Sequence, residues 1–244
     1  MGTPERYPIF ALHSGGTTPM LWAPVVERLP DLRCSVPDLN DIAEQLPPDA
    51  SYGDLVDVLA AGAPEGPLVV AGTGLGGRIA IAVATRLGAR VRHLYLATPG
   101  PAEEDEDFRQ KVAGLRRFLI DGFRPEALPS LVPVMLHRYG PRFRQASAEL
   151  ERILLDGSGQ NGMPLARLVS DLGPLSQDLL PRLSATIEVV YGAGNPIVEP
   201  HWIESWRRLP QTRSVEVVQD AAHELALEIP DRLAADLRRL AEVG

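Results

Sequence analysis

The stretch Leu68-Val69-Val70-Ala71-Gly72-Thr73-Gly74-Leu75-Gly76-Gly77-Arg78-Ile79-Ala80-Ile81-Ala82-Val83-Ala84 decides the fold. Its apolar opening reads as a strand buried on both faces, the glycines as a tight turn, and 79–84 as an apolar helix of small residues. The same strand, loop, helix order occurs upstream. There Ile9-Phe10-Ala11-Leu12 runs into His13-Ser14-Gly15-Gly16, and Leu21, Trp22, Val25, Val26 and Leu29 follow at helical spacing. Downstream, strands are predicted over 91–97, 187–191 and 215–218, and helices over 202–209 and 230–243, the last opening on Pro230. Such alternation predicts an α/β domain, a mostly parallel sheet with helices on both faces.

A length of 244 residues suits one domain of this kind. Hydrophobic residues make up 45% and charged residues 23%, which supports a full core and excludes global disorder. The formal charge is −8, from 24 basic and 32 acidic residues, so no nucleic-acid partner is expected. No window reaches the roughly eighteen apolar residues of a membrane span. The opening Met1-Gly2-Thr3-Pro4-Glu5-Arg6 lacks a basic segment followed by an apolar one, so a cytoplasmic protein that does not act at membranes is the expectation. Cys34 is the one cysteine; it forbids an internal disulfide and reads as a free, buried thiol. Lys111 is the one lysine, and the arginine skew is what GC-rich coding in a bacterial source gives.

Between Pro101 and Pro181 the pattern changes to amphipathic helical segments, such as 112–120 and 148–155, without convincing strands. The expected division is a core of 1–100 and 182–244 with a helical lid, 101–181, inserted over the sheet. The acidic run Glu103-Glu104-Asp105-Glu106-Asp107 is expected to be a solvated helix N-terminus. Trp202 and Trp206, four apart on one helix, read as core. No pair among His93, His137 and His201 has metal-ligand spacing, so neither metal nor cofactor is expected.

Gly72-Thr73-Gly74-Leu75-Gly76, between a buried strand and a small-residue helix, resembles the Gly-x-Ser-x-Gly nucleophile elbow of the α/β-hydrolase superfamily, with Gly74 in place of the serine. Gly72, Gly74 and Gly77 also satisfy a dinucleotide-binding fingerprint, but the next strand runs Leu94-Tyr95-Leu96-Ala97-Thr98-Pro99 with no acidic residue to hold a ribose. The rest of the chain follows the hydrolase order. His13-Ser14-Gly15-Gly16 resembles the oxyanion loop, with a serine where the first glycine usually stands. Tyr191-Gly192-Ala193-Gly194-Asn195-Pro196-Ile197-Val198 resembles the loop of the catalytic acid, with Asn195 at the acid position, and Ala221-Ala222-His223 resembles the turn of the catalytic base. The few residues before Ile9 imply that the superfamily's first antiparallel strands are missing. That start and the lid look most like thioesterase-type members.

A Ser-His-acid triad needs a hydroxyl to carry the acyl group and a carboxylate to hold and charge-balance the imidazole. Gly74 has no side chain, Asn195 is neutral, and the superfamily's alternative acid position falls at about Ala97. What the resemblance still implies is His223 beside an anion pocket made by the backbone N–H of Leu75 and of Ser14 or Gly15. Thr73, His137 and Tyr139 are expected to line that pocket, and a gap is expected above Gly74. The function expected is a non-hydrolytic reaction, a cyclisation, isomerisation, elimination or hydration. Its substrate would be an apolar polyketide-like or acyl intermediate of secondary metabolism, with linkage to a carrier protein left open. Two alternatives stand beside it: an inactive pseudo-hydrolase that binds a small molecule or serves as a scaffold, and a thioesterase-like hydrolase with a rearranged site.

Overall fold

A computed structural model of the chain describes residues 6–121, 125–159, 163–170 and 176–242. Strands β1 (Ile9–Leu12), β2 (Cys34–Ser35), β3 (Leu68–Thr73), β4 (Val91–Ala97), β5 (Thr186–Gly192) and β6 (Thr212–Val218) form one sheet in the order β2-β1-β3-β4-β5-β6. Every adjacent pair is parallel, as the alternating pattern predicts. β2 has two residues, too short for a run or an alternation to show in sequence. Cys34 lies on this edge strand and is half-buried rather than buried, because no further strand covers that side.

The side chains sort by the two-residue period of a pleated strand. Phe10, Leu12, Val70, Leu94, Leu96, Ile187 and Val189 enter one core, with Leu55, Leu59, Ile79, Val83 and Trp206. Ile9, Ala11, Val69, Ala71, Tyr95, Ala97 and Val190 enter the other, with Trp22, Val25, Leu233 and Leu237. Both faces are therefore apolar, which is why these strands read as continuous hydrophobic runs.

The helix Leu75–Leu87 follows β3 directly and packs backbone to backbone against its neighbours. A Cβ on Gly76 would lie 2.5 Å from Leu12 O, and one on Gly72 would lie 2.5 Å from Gly76 O. Any side chain at either position would push this helix off the sheet. Strand order reverses at β1, which has β2 on one side and β3 on the other. In open α/β sheets the crevice at such a point, beyond the carboxyl ends of the strands, takes the ligand.

Between β4 and β5 come the helices Glu106–Asp121, Leu128–Met135, Phe143–Gly159, Met163–Ser170 and Ser176–Leu179. In the acidic run Glu103, Glu106 and Asp107 are exposed and the last two open the first of these helices, as expected, but Glu104 departs from the solvated reading. Glu104 is buried; Arg78 Nε of the helix after β3 lies 2.5 Å from its Oε1, and Ser176 donates to the same oxygen from N at 3.0 Å and from Oγ at 2.6 Å. Helices of this segment contribute buried residues to both cores. Leu128, Val132, Leu150 and Ile153 enter one core, and Leu165, Leu168 and Val169 the other. Trp202 and Trp206, on the helix Pro200–Arg207, are both buried, as their spacing suggests. The closing helix spans Pro230–Ala241; the expected end at Val243 lies outside the described residues.

Candidate active site

Four loops at the carboxyl ends of β1, β3, β5 and β6 converge. At the end of β3, Gly74 has φ +52° and ψ −122°, a conformation that strains any residue with a Cβ. The elbow geometry is thus kept although the serine is not. Leu75 is the first residue of the following helix, so its N–H has no acceptor within the helix and lies at the positive end of the dipole.

The expected gap above Gly74 is filled. A Cβ built on Gly74 would lie 2.6 Å from Ser14 Oγ and 4.0 Å from His223 Nε2, so the Ser14 hydroxyl occupies the place of the missing nucleophile side chain. His13 fixes Ser14 there. Buried and held neutral by desolvation, His13 accepts from Leu39 N–H through Nε2 at 3.0 Å, which leaves its proton on Nδ1 to donate to Ser14 O, also at 3.0 Å. Thr17 Oγ1 donates to the same carbonyl at 2.7 Å. Gly15 is buried next to Ser14 in this loop.

Asn195 and His223 meet as the order of loops implies, 3.0 Å apart between Nδ2 and Nδ1. The direction of that bond is fixed from outside. Asn195 Oδ1 accepts from the Ile197 N–H at 2.9 Å, so the amide must present its N–H₂ to the imidazole. Nδ1 of His223 is then the acceptor, and the ring proton of the neutral imidazole sits on Nε2, facing Gly74. A triad histidine has the opposite tautomer, with a bare Nε2 that takes the serine proton. Burial holds the His223 pKa down to about 4, so the ring is neutral at physiological pH. The backbone of the turn is braced as well: Thr98, at φ +47° after β4, donates through Oγ1 to His223 O at 2.9 Å. His223 N donates at 3.0 Å to Met135 O, at the end of the insertion's helix Leu128–Met135.

Sequence reasoning missed Glu224. It is fully buried, both carboxylate oxygens lack a hydrogen-bond partner, and Oε1 lies 4.0 Å from His223 Nε2. Desolvation, and then the Glu228 charge, raise its pKa to about 8, so it is mostly protonated at neutral pH. Glu228, by contrast, accepts from Ala222 N at 2.9 Å and from His137 N at 2.5 Å, and its role is to tie the histidine turn to the insertion. The available signal was an acidic residue inside the otherwise apolar run Ala221-Ala222-His223-Glu224-Leu225-Ala226-Leu227.

Two expected pocket residues lie elsewhere. Thr73 is buried with its hydroxyl 3.5 Å from Thr98 Oγ1, because a one-residue step along β3 turns it toward β4. Tyr139 is 91% exposed and lines nothing. His137 is near: its Cδ2 would lie 2.6 Å from a Cβ on Gly194, so the ring packs over the loop that carries Asn195. His93 is bound to Thr186 and His201 to Asp105, both away from this site. Asp105, Asp107 and His201 do bring ligand-type atoms together, but on the surface, with Lys111 Nζ 3.1 Å from Asp107.

Among solved structures, the thermophilic esterase from Thermogutta terrifontis is 23% identical, with a TM-score of 0.79, 98% of this chain and 92% of that one covered. The enol-lactonase from Burkholderia xenovorans LB400 is 17% identical, with a TM-score of 0.71 and coverage of 96% and 91%. The 2-hydroxy-6-oxo-6-phenylhexa-2,4-dienoate hydrolase from a Rhodococcus strain is 15% identical, with a TM-score of 0.72 and coverage of 98% and 92%. At these identities the likeness is one of fold. No curated protein matches the sequence. The alpha/beta hydrolase family model, however, matches residues 9–236, nearly the whole chain with all four site loops, and the chain belongs to that family.

Proposed function

We propose that the protein is an enzyme that polarises a substrate carbonyl without forming an acyl-enzyme. The observation that carries this reading is the Asn195 amide, which donates to Nδ1 of His223 and so makes Nε2–H a hydrogen-bond donor on the side of Gly74. A neutral imidazole with its proton on Nε2 cannot accept a proton from Ser14, yet with the Leu75 N–H it can hold the oxygen of an enolate or alkoxide. The reactions that need this, and no nucleophile, are isomerisation, cyclisation, elimination and hydration next to a carbonyl. The substrate class this reading takes is the one the resemblance implies, an acyl or polyketide-like compound, free or carried on a protein.

A second reading has an observation of its own. Ser14 Oγ stands where the nucleophile's side chain would be, so a hydrolase with a displaced serine would look like this too. Two measurements separate them. Nitrogen-15 spectra of His223 should show a protonated Nε2 and a bare Nδ1 at pH 7, and a serine-reactive fluorophosphonate should leave no adduct. Stoichiometric labelling of Ser14 with a bare Nε2 would replace the carbonyl-polarising reading by the hydrolytic one.

A further inference from the structure

Among the described residues, Thr98 alone has a positive φ without being a glycine: +47°, one step beyond the end of β4. A branched side chain suits that conformation badly, because it crowds Cβ against the following carbonyl, and at the comparable place one strand over, just past β3, the chain uses Gly74. Such an outlier persists only where its surroundings hold it, and it points to something the side chain does. Thr98 is buried, and its polar groups reach three segments of the site. Its N–H donates to Val190 O of β5 at 2.8 Å and its Oγ1 donates to His223 O at 2.9 Å. The Thr73 hydroxyl, one residue before Gly74, stands 3.5 Å from the same Oγ1.

The bond to His223 O matters because of how the histidine is hung. Its N–H goes to Met135 O, which belongs to the insertion, and its ring reaches Asn195 on the loop after β5. Thr98 supplies the hold from the middle of the sheet, since β4 is an interior strand paired with β3 and β5. With the carbonyl fixed, the backbone aims the ring, and the 3.0 Å contact between Asn195 Nδ2 and Nδ1 is kept; that contact is what leaves the ring proton on Nε2. Glycine, which the backbone conformation favours, could not supply the hydroxyl, and the branched Cβ of threonine restricts χ1 and so stiffens the donor. We propose that Thr98 is a positioning residue for His223, held in a strained conformation so that its hydroxyl fixes the histidine's carbonyl and through it the ring; the purpose of that hold rests on the carbonyl-polarising reading above.

Three substitutions separate the hydroxyl from the strain. Thr98→Gly removes both, Thr98→Val removes the hydroxyl and keeps the branched side chain, and Thr98→Ser keeps the hydroxyl. Each is compared with wild type by the His223 nitrogen-15 spectrum across pH, on protein shown by circular dichroism to be folded. The nearest carboxyl, Glu224 at 4.0 Å from Nε2, is the same in all four proteins. In the glycine and valine variants the ring should change from a single Nε2–H tautomer to a mixture, and the His223 pKa should climb from about 4 toward its ordinary 6.5 as the loosened turn lets water reach the ring. Thr98→Ser should bring both back to near wild type. Glycine relieves the φ, so its variant serves the test even where valine fails to fold. A folded Thr98→Gly with the wild-type spectrum and pKa, or a Thr98→Ser that behaves like glycine, overturns the assignment. The wild-type spectrum reports separately on the underlying reading. A bare Nε2 there fells the carbonyl-polarising reading, while the difference between the glycine variant and wild type still decides whether Thr98 holds the ring.

Discussion

Ser14 and Gly74 exchange places in a way that dictates what repair would need. Restoring the consensus with Gly74→Ser puts a Cβ 2.6 Å from Ser14 Oγ, at a φ that L residues adopt under strain, next to an imidazole of the wrong tautomer. The single variant should therefore show p-nitrophenyl ester turnover no higher than wild type. Adding Ser14→Gly and Asn195→Asp removes the clash and changes the tautomer, and this triple variant is the one in which turnover and phosphonate labelling at position 74 should appear. Asn195→Asp has its own readout. A carboxylate facing Nδ1 accepts a proton there and favours the imidazolium, so the His223 pKa should rise from its depressed value and the spectrum should switch to Nδ1–H. An unchanged spectrum would mean that the amide does not set the tautomer. Gly74, Asn195 and His223 were legible because each occupies a fixed place in a pattern. Ser14 was legible as a member of the oxyanion loop but not in the place its hydroxyl takes, and Glu224 was not legible, since both depend on where a side chain ends in space: Ser14 fills an absence at a residue sixty positions away, and Glu224 stands out by lacking partners, which only coordinates reveal.

At the scale of elements, the alternation of strands and helices was readable because both cores follow the two-residue period of buried strands. β2 escaped notice at two residues, and the insertion was harder still. Helical periodicity announced helices there but not their seat, and the same charge pattern that suits a solvated N-terminus hides the buried pair of Glu104 and Arg78. Their side chains are 1% and 4% exposed, so removing Glu104 takes a carboxylate away from a buried guanidinium. Glu104→Ala should cost about 3–5 kcal/mol in denaturant unfolding, the range for breaking a buried pair, and should loosen the Ser176 end of the insertion. An exposed pair such as Arg152 with Asp156 should cost well under 1 kcal/mol by the same assay. Equal effects would show that Glu104 is solvated after all. The helix after β3 carries a matching constraint: Gly76→Ala forces a Cβ against Leu12 O and His13 O and should disturb the loop that places Ser14.

For the whole molecule, the site leaves a signature in stability against pH. His223 is neutral in the fold with its pKa lowered to about 4, so acid drives protonation of the unfolded chain first and its contribution is lost as pH falls from 6.5 toward 4. Glu224 works the other way. Its folded pKa is raised from 4.5 to about 8, so across that interval the unfolded chain ionises while the folded one stays protonated, and stability falls as pH rises. Between about 4.5 and 6.5 the two slopes oppose each other; above 6.5 the histidine is spent and the carboxyl's slope stands. Glu224→Gln removes a titrating proton but keeps shape and volume. It should unfold at a higher denaturant concentration than wild type, by a margin that is small at pH 4, grows through neutrality, and is constant above about pH 8 at an order of a few kcal/mol. Unfolding curves at pH 4, 7 and 9 decide it. Parallel curves for the two proteins would show that Glu224 ionises as freely in the fold as in the unfolded chain, and with that its buried, partnerless placement beside His223 would fall.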